Sequence, residues 1–501
     1  MRRTVAVVVC LVAILGLLAP AAFAQAPAPK VTINGLFDQI TSAGKNLYDG
    51  NFSRSSESEW YARTRFRPDF TFEVGRTKAV LGLEMDLTYG LANSQDGSFG
   101  GGCGKAGGNG CFDLQGDVAG IIEIKWIYTE FDLTGKDSLL PFIPVATRSR
   151  LGGQPFGTLG GYRAIYANGD FAGISAITTW APNLKTNLAY VQIEEELAGS
   201  NRLLRTAPNR RGNDFAIIFS PELTPFKGLD IKPLYSYIYA EGATFGQTRR
   251  PVNNAQGAVA VNEEHRHTFG IDARWRSGPF SIDPTVLFQF GDRNQRTATG
   301  RINGDTWAWL ADLQFGWQLG PLLLEARGVW SPGNKATDDL RDEVNYFEPL
   351  ATDTGYWAGW SNIQALGIDY FNGGGGTLNG MSTNVGYDRY GRRGFAVRAT
   401  YSLTPSLAFY GIVSPTWTDE KVDTDTTMVG GIRTAPTSRG DDRFIGHEWN
   451  LGTTWRFAPN TSFDLVGAYL FAGSALDTTD ASGSRDAEDA YTIAARVRLA
   501  F

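Results

Sequence analysis

The sequence predicts an all-β chain closed into a transmembrane antiparallel up-and-down β-barrel of about 18 strands, with about 16 the alternative. Three observations lead there. Apolar and polar residues alternate with a period of two along most of the chain, the breaks between these runs are alternately short and long, and the face opposite the apolar one is rich in ionised side chains. Composition agrees: 42% of the 501 residues are hydrophobic and 20% charged, which excludes a helical membrane bundle, and a formal charge of -6 gives no global signal for nucleic-acid binding.

The chain opens with Arg2 and Arg3, the apolar run Thr4 to Ala19, and the small residues Ala22-Phe23-Ala24 before Gln25. This pattern reads as a cleaved secretory signal over residues 1–24, leaving 25–501 as one barrel domain. Cys10 lacks the small-residue context of a lipidated cysteine. No later stretch approaches the roughly 18 to 20 continuous apolar residues of a spanning helix.

From Val31 onward the alternation sets strands. Tyr491, Ile493, Ala495, Val497, Leu499 and Phe501 share one face of the last run, with Thr492, Arg496 and Arg498 on the other. Trp307, Trp309, Ala311, Leu313, Phe315 and Trp317 oppose Thr306, Asp312, Gln314 and Gln318 in the same way, and Phe269, Ile271, Ala273 and Trp275 oppose Arg266, Asp272, Arg274 and Arg276. Short breaks are expected at 74–77, 134–141, 181–184, 221–228, 277–279, 319–321, 404–406 and 458–460. Long ones are expected at 43–57, 91–118, 156–163, 197–212, 242–264, 292–304, 332–392, 419–444 and 473–488. Eight short turns and nine long loops make the strand number even and put both termini on the short-turn side.

A soluble sandwich or propeller would turn the apolar face onto a core. Here most tryptophans fall in strands, often near their ends (Trp60, Trp180, Trp275, Trp317, Trp330, Trp417), as interfacial girdles require, and the other face is too highly charged for a core. No blade-length repeat recurs at a constant period.

The Ala-x-Ala leader, the amphipathic strands and the ending Val497-Arg-Leu499-Ala-Phe501 resemble the Gram-negative outer-membrane porins, across the whole mature chain. Arg150-Leu-Gly-Gly-Gln154-Pro-Phe156, followed by Tyr166-Ala-Asn-Gly-Asp170-Phe-Ala-Gly173, is similar to the alginate-export-like and substrate-specific 18-strand porins. This match is a strand-loop-strand motif and carries over no binding residue. The resemblance implies residence in the bacterial outer membrane among its lipids after export through the periplasm, short periplasmic turns, long external loops and homotrimers. It also implies recognition of the terminal strand and Phe501 by the barrel-assembly machinery.

Parity assigns the inward, channel-lining residues. They are Arg63, Arg65 and Arg67 on strand two, Glu84 and Asp86 on three, Glu123 on four, Arg148 and Arg150 on five, and Asp272, Arg274 and Arg276 on ten. Asp312 on twelve, Glu325 on thirteen, Arg398 on fourteen, Arg456 on sixteen, and Arg496 and Arg498 on the last strand complete the set. Closure puts the last strand beside the first, so the Arg496/Arg498 and Arg63/Arg65/Arg67 groups form a basic wall. Such rows either set a transverse field that orients water and favours polar solutes, anions if arginine dominates, or pair across strands and stiffen the wall.

The loop 332–392 is the longest and carries Tyr346, Phe347, Trp357, Trp360, Ile363, Leu366, Tyr370 and Phe371, so it needs a surface to pack on. It is expected to fold into the pore as a constriction or plug, or else over the rim or at a subunit contact. Tyr387, Arg389, Tyr390, Arg392 and Arg393 at its exit offer an aromatic and cationic surface for sugars or carboxylates.

Cys103 and Cys111, in a Gly-rich external loop of an exported protein, are expected to form a disulfide. Gly104-Lys105 fails as a phosphate-binding loop, because Phe99 and Ala106 stand where Gly and Ser/Thr are needed. His265, His267 and His447 point outward by parity with no nucleophile tied to them, and the acidic run Asp477 to Asp489 lacks a calcium-loop spacing, so no catalytic or metal site and no cofactor is expected. The sequence therefore points to a non-enzymatic porin, a water-filled channel for passive diffusion of small hydrophilic solutes, with anions or saccharides as candidates. An adhesin or receptor acting through its external loops is the alternative.

Overall fold

The computed structural model describes residues 28–47, 58–89, 111–113, 118–163, 165–194, 214–241, 261–297, 300–340, 342–350, 355–365, 389–424, 428–429, 432–433, 440–480 and 483–501. The leader 1–24 and Cys103 lie outside them, and with them the expected signal segment and disulfide; Cys111 opens a short strand, Cys111–Asp113.

Eighteen strands form the wall: Lys30–Lys45 (β1), Ser58–Val74 (β2), Thr77–Tyr89 (β3), Val118–Thr134 (β4), Ala146–Pro155 (β5), Asp170–Ala181 (β6), Leu184–Glu194 (β7), Asp214–Phe226 (β8) and Leu229–Glu241 (β9). The second half comprises Val261–Ser277 (β10), Phe280–Thr297 (β11), Gly300–Leu319 (β12), Leu322–Ser331 (β13), Arg392–Thr404 (β14), Leu407–Val422 (β15), Asp442–Ala458 (β16), Thr461–Ala472 (β17) and Ala490–Ala500 (β18). Each pairs antiparallel with the next, and β18 returns to β1 in register from Leu36↔Ala500 to Lys45↔Tyr491. The sheet is closed, so its strands find their backbone partners within the wall, as hydrocarbon requires.

Seven of the eight short turns contain two residues. At Gly278 (φ 56°) and Gly320 (φ 56°) the backbone takes the left-handed conformation that tight hairpins demand and that glycine supplies without strain. The eighth spans 135–145, longer than the expected 134–141, and is tied back on itself by the Gly135 N–H donating to the Ile143 carbonyl at 2.9 Å.

Two expected breaks are strand instead. Pro221 is carried inside β8 opposite Thr186, and a register shift where β8 meets β9 absorbs the irregularity near Pro225, so the turn shrinks to 227–228. The polar stretch 292–304 continues the β11–β12 ladder through Arg293↔Gly304 as far as Thr297↔Gly300. Strands that leave the hydrocarbon keep their pairing but have no reason to keep an apolar face.

The two faces separate by side-chain chemistry. Trp60 (74% exposed), Leu451 (75%), Trp449, Ile493 and Val497 project outward, whereas Arg63 is 1% exposed on the inner face. All three histidines lie on the outer face within aromatic clusters; His267 stacks on Phe290 at 4.9 Å and His447 on Phe471 at 4.6 Å. A bulge breaks the alternation of one strand. The β3–β4 register shifts between Gly82 and Leu83, turning Trp126 inward opposite Gly82, where its indole N–H donates to Asp69 at 2.9 Å. Trp126 therefore belongs to the bore and not to a girdle.

Candidate functional site: the charged bore and its inner loops

The inner wall is laced by cation–carboxylate pairs between neighbouring strands. Arg65 grips Asp86 through two hydrogen bonds of 2.7 and 2.8 Å, and Glu84 accepts from Arg67 (2.8 Å) and Arg65 (3.3 Å). Across β4–β5, Arg150 meets Glu130 at 2.7 Å, while Arg148 reaches both Glu130 (3.3 Å) and Asp132 (3.4 Å). Lys232 pairs with Glu222 and Arg276 with Asp283. Asp312 holds Arg327 (2.5 Å) and Glu325 holds Arg398 (2.6 Å). At the closure Arg496 meets Asp464 (2.8 Å), and Arg498 binds Asp38 through two contacts of 2.6 Å. The Arg63/65/67 and Arg496/498 groups do stand one strand apart, but Asp38 of β1 stands between them and the carboxylates of β3 and β17 flank them on either side.

The remaining expected positions differ in kind. Arg63 is buried on β2, and Glu123 is half exposed beside Lys125 at 4.0 Å. Asp272 accepts from the Thr285 hydroxyl (3.1 Å) and the Arg163 backbone N–H (3.1 Å), while Arg274 donates to the Tyr162 carbonyl at 2.9 Å. Arg456 sits exposed at the turn end, where the β16–β17 register shifts between Trp455 and Ala458.

Several cations also lie against an aromatic ring. Arg67 is 5.8 Å from the Trp126 centroid, Arg150 5.1 Å from Tyr128, Arg398 4.4 Å from Trp360 and Arg327 5.8 Å from Trp357. Tyr162 packs under both Arg274 (4.6 Å) and Lys232 (5.2 Å). Burial, with Glu222 and Asp230 nearby, pushes the Tyr162 hydroxyl up to about 12, so the ring stays a neutral phenol under these two cations. A cation held between a carboxylate and a ring keeps its charge and loses its freedom to swing.

Two loops enter the barrel. The first, 156–169, leaves β5 and crosses to the opposite wall. There the Arg163 guanidinium reaches Asp312 (2.6 Å) and the Asp283 carbonyl (2.7 Å), and Thr158 approaches Glu222 at 3.3 Å. The second follows β13. Its residues 343–344 pair in parallel with Asp305 and Thr306 of β12, Glu348 lies between Arg266 and Arg293, and its backbone at 358–359 accepts from Arg327 and Arg398 at 3.2 and 3.1 Å. The loops meet where the Leu350 N–H donates to the Tyr166 carbonyl at 2.8 Å.

Phe347, Leu350, Tyr356, Trp357 and Trp360 join Phe156, Ile165 and Tyr166 in one dry cluster. Its seat is a set of inward-facing apolar residues: Val191, Ile218, Leu234, Leu287, Leu310, Val329 and Ile412. Sequence parity alone missed this seat. The signal for it was present as apolar residues at inner positions of β7 to β15, where a uniformly hydrated bore would have none. At the loop exit, Arg389 donates to the carbonyls of Lys335 (2.6 Å) and Asp338 (3.1 Å), and Arg392 faces the Tyr356 ring at 5.2 Å, so both are engaged within the inner fold; Tyr387 lies outside the described residues. In the acidic run, Asp477 accepts from the Ala487 N–H at 2.7 Å, closing its own loop. Among the described residues no group of three or more His, Cys, Asp or Glu is placed to hold a metal ion.

No protein-family profile matches the chain, and no curated protein matches it. Among solved structures, it is similar to the outer membrane protein OpdK of Pseudomonas aeruginosa (TM-score 0.45, 10% identity, covering 94% of this chain and 99% of that one). It is also similar to OccK9 (OpdG) of Pseudomonas aeruginosa (TM-score 0.48, 10% identity, the same coverage). A third similar structure is OccAB3 of Acinetobacter baumannii (TM-score 0.47, 9% identity, 94% and 99% covered). The barrel itself rests on the strand pairing above, which closes from β18 to β1 without reference to these likenesses.

Proposed function

We propose that the chain is an outer-membrane porin, a non-enzymatic channel for passive diffusion of small hydrophilic solutes that prefers anions. The closed barrel with an apolar exterior and an ionic bore supports the first part. One observation carries the second. Within most of the cross-strand pairs the carboxylate is the buried member and the guanidinium the exposed one: Arg67 31% against Glu84 7%, Arg148 43% against Glu130 10%, Arg498 29% against Asp38 0%. A carboxylate spends its acceptors on the wall, whereas a guanidinium carries five donors and keeps some of them for the bore. Although the charges balance in pairs, a passing solute meets N–H groups. The pairs Arg65–Asp86 (12% against 17%) and Lys232–Glu222 run the other way, and in the second the loop residue Tyr162 covers the lysine.

On this reading the short turns face the periplasm and the long loops face outward. The closing strand, with Phe501 hydrogen-bonded to Gly35 in both directions (2.8 and 3.0 Å), is the segment that the assembly machinery reads, and the barrels associate as homotrimers. Reversal potential across a planar bilayer under a salt gradient tests the preference. Anion selectivity is expected. A cation-selective channel refutes the preference, and a silent barrel favours a receptor or adhesin acting through its loops.

A further inference from the structure

Glu448, on the inner face of β16, is fully buried, and among the described residues no lysine or arginine forms an ion pair with it. Its charge is met by a turn of the second inner loop. The backbone N–H groups of Asn362 (2.8 Å) and Ile363 (3.0 Å) donate to one carboxylate oxygen, and the Gln364 N–H (3.0 Å) and the Ser361 hydroxyl donate to the other. The Ser361 oxygen in turn accepts from the Gln364 N–H at 2.7 Å, and Asn362 donates to Asn450 at 2.6 Å. Three consecutive backbone N–H groups converging on one carboxylate make an anion-binding concavity, built by the loop and filled by the wall.

We propose that residues 361–364 form an anion receptor occupied in cis by Glu448, and that this latch holds Tyr356 to Ala365 against the wall and so sets the width of the bore. The opposite polarity holds the other part of the same loop, where Glu348 comes from the loop and Arg266 and Arg293 from the wall. A buried carboxylate met only by dipoles leaves, when its side chain is removed, donors aimed at an empty space. A small carboxylate from solution has the shape and charge to fill it. Glu448 is therefore a positioning residue, acting on solutes through the loop it holds. The inference rests on the channel reading above.

Single-channel recording of the full-length protein in a planar bilayer tests it, with formate as the probe. Glu448→Ala is expected to raise mean conductance and open-channel noise several-fold, and added formate to restore the quiet, narrower state while leaving the unsubstituted channel unchanged. Glu448→Gln, whose amide still fills the concavity, is expected to be intermediate and insensitive to formate. A Glu448→Ala channel like the parent, or one widened but indifferent to formate, overturns the latch. Should Glu448→Ala fail to fold, Ser361→Ala and Glu448→Gln carry the same comparison, and parental conductance and noise in both overturns it. Should the parent barrel be silent, the channel reading falls instead. The latch is then read in detergent by formate-dependent protection of residues 355–365 from protease in Glu448→Ala, and absence of that protection overturns it.

Discussion

The wall divides into two arcs that share an exterior and differ inside. From β17 through the closure to β5, long charged residues line much of the inner face, although Val466, Ala468 and Leu470 of β17 are buried and apolar, and several of the guanidiniums stand clear of the wall. From β7 to β15 the inner face includes Ala189, Val191, Ala216, Ile218, Leu234, Leu287, Leu310, Val329 and Ala396, which seat the two inner loops. The difference teaches that outward residues fix where the barrel sits, while inward ones decide which part of its cross-section is passage and which is obstruction. One arc offers charge to the bore, and the other covers its charges with loop.

The sharpest way to break this contrast is at Asp312 in the covered arc, which accepts from Arg327 on the wall and Arg163 on a loop. Asp312→Asn strands two buried guanidiniums and is expected to cost about 3–5 kcal/mol, read as a lowered transition in heat-dependent gel mobility; an unshifted transition means that the pair does not join loop to wall. Next comes Trp357, fully buried in the apolar seat. Its replacement by alanine is expected to cost about 3–5 kcal/mol of loop docking, visible as higher conductance and faster protease nicking with the barrel intact.

In the open arc, Arg67→Gln leaves Glu84 still paired with Arg65. Stability is expected to change by only about 0–1 kcal/mol, while the reversal potential moves away from anion preference, more so when Arg150→Gln and Arg498→Gln are added. The smallest effect is at Tyr162. Its folded value of about 12 lies above the ordinary 10, so its contribution is present in full below pH 10 and is lost as pH rises from 10 to 12. Loop protection from protease is expected to fall over that window, and Tyr162→Phe to abolish the step.

The architecture was legible because β12 and β18 cross hydrocarbon with one face each, and lipid tolerates no exception to the rule from Trp307 to Trp317 or from Tyr491 to Phe501. What parity cannot read is a single inserted residue. The β3–β4 bulge turns Trp126 into the bore without any local change in composition, although strict alternation from the inward Glu123 would put it outside. Nor does local pattern reveal long-range partners. Glu448 sits between His447 and Trp449 in an ordinary alternating run, and its ligands lie more than eighty residues earlier. Likewise the arginines announced themselves by spacing, while two of the carboxylates that temper them, Asp38 and Asp464, did not, because each is a lone acid within its strand.

The seam between β1 and β18 has a consequence for how the molecule comes into being. Asp38 and Arg498 are 460 residues apart, so the ring cannot be completed until β18 has been made. Every shorter precursor is an open ribbon with two bare edges, which oil punishes and other ribbons find sticky. Synthesis must therefore outrun insertion, and β18 acts as the clasp that turns a sheet into a tube.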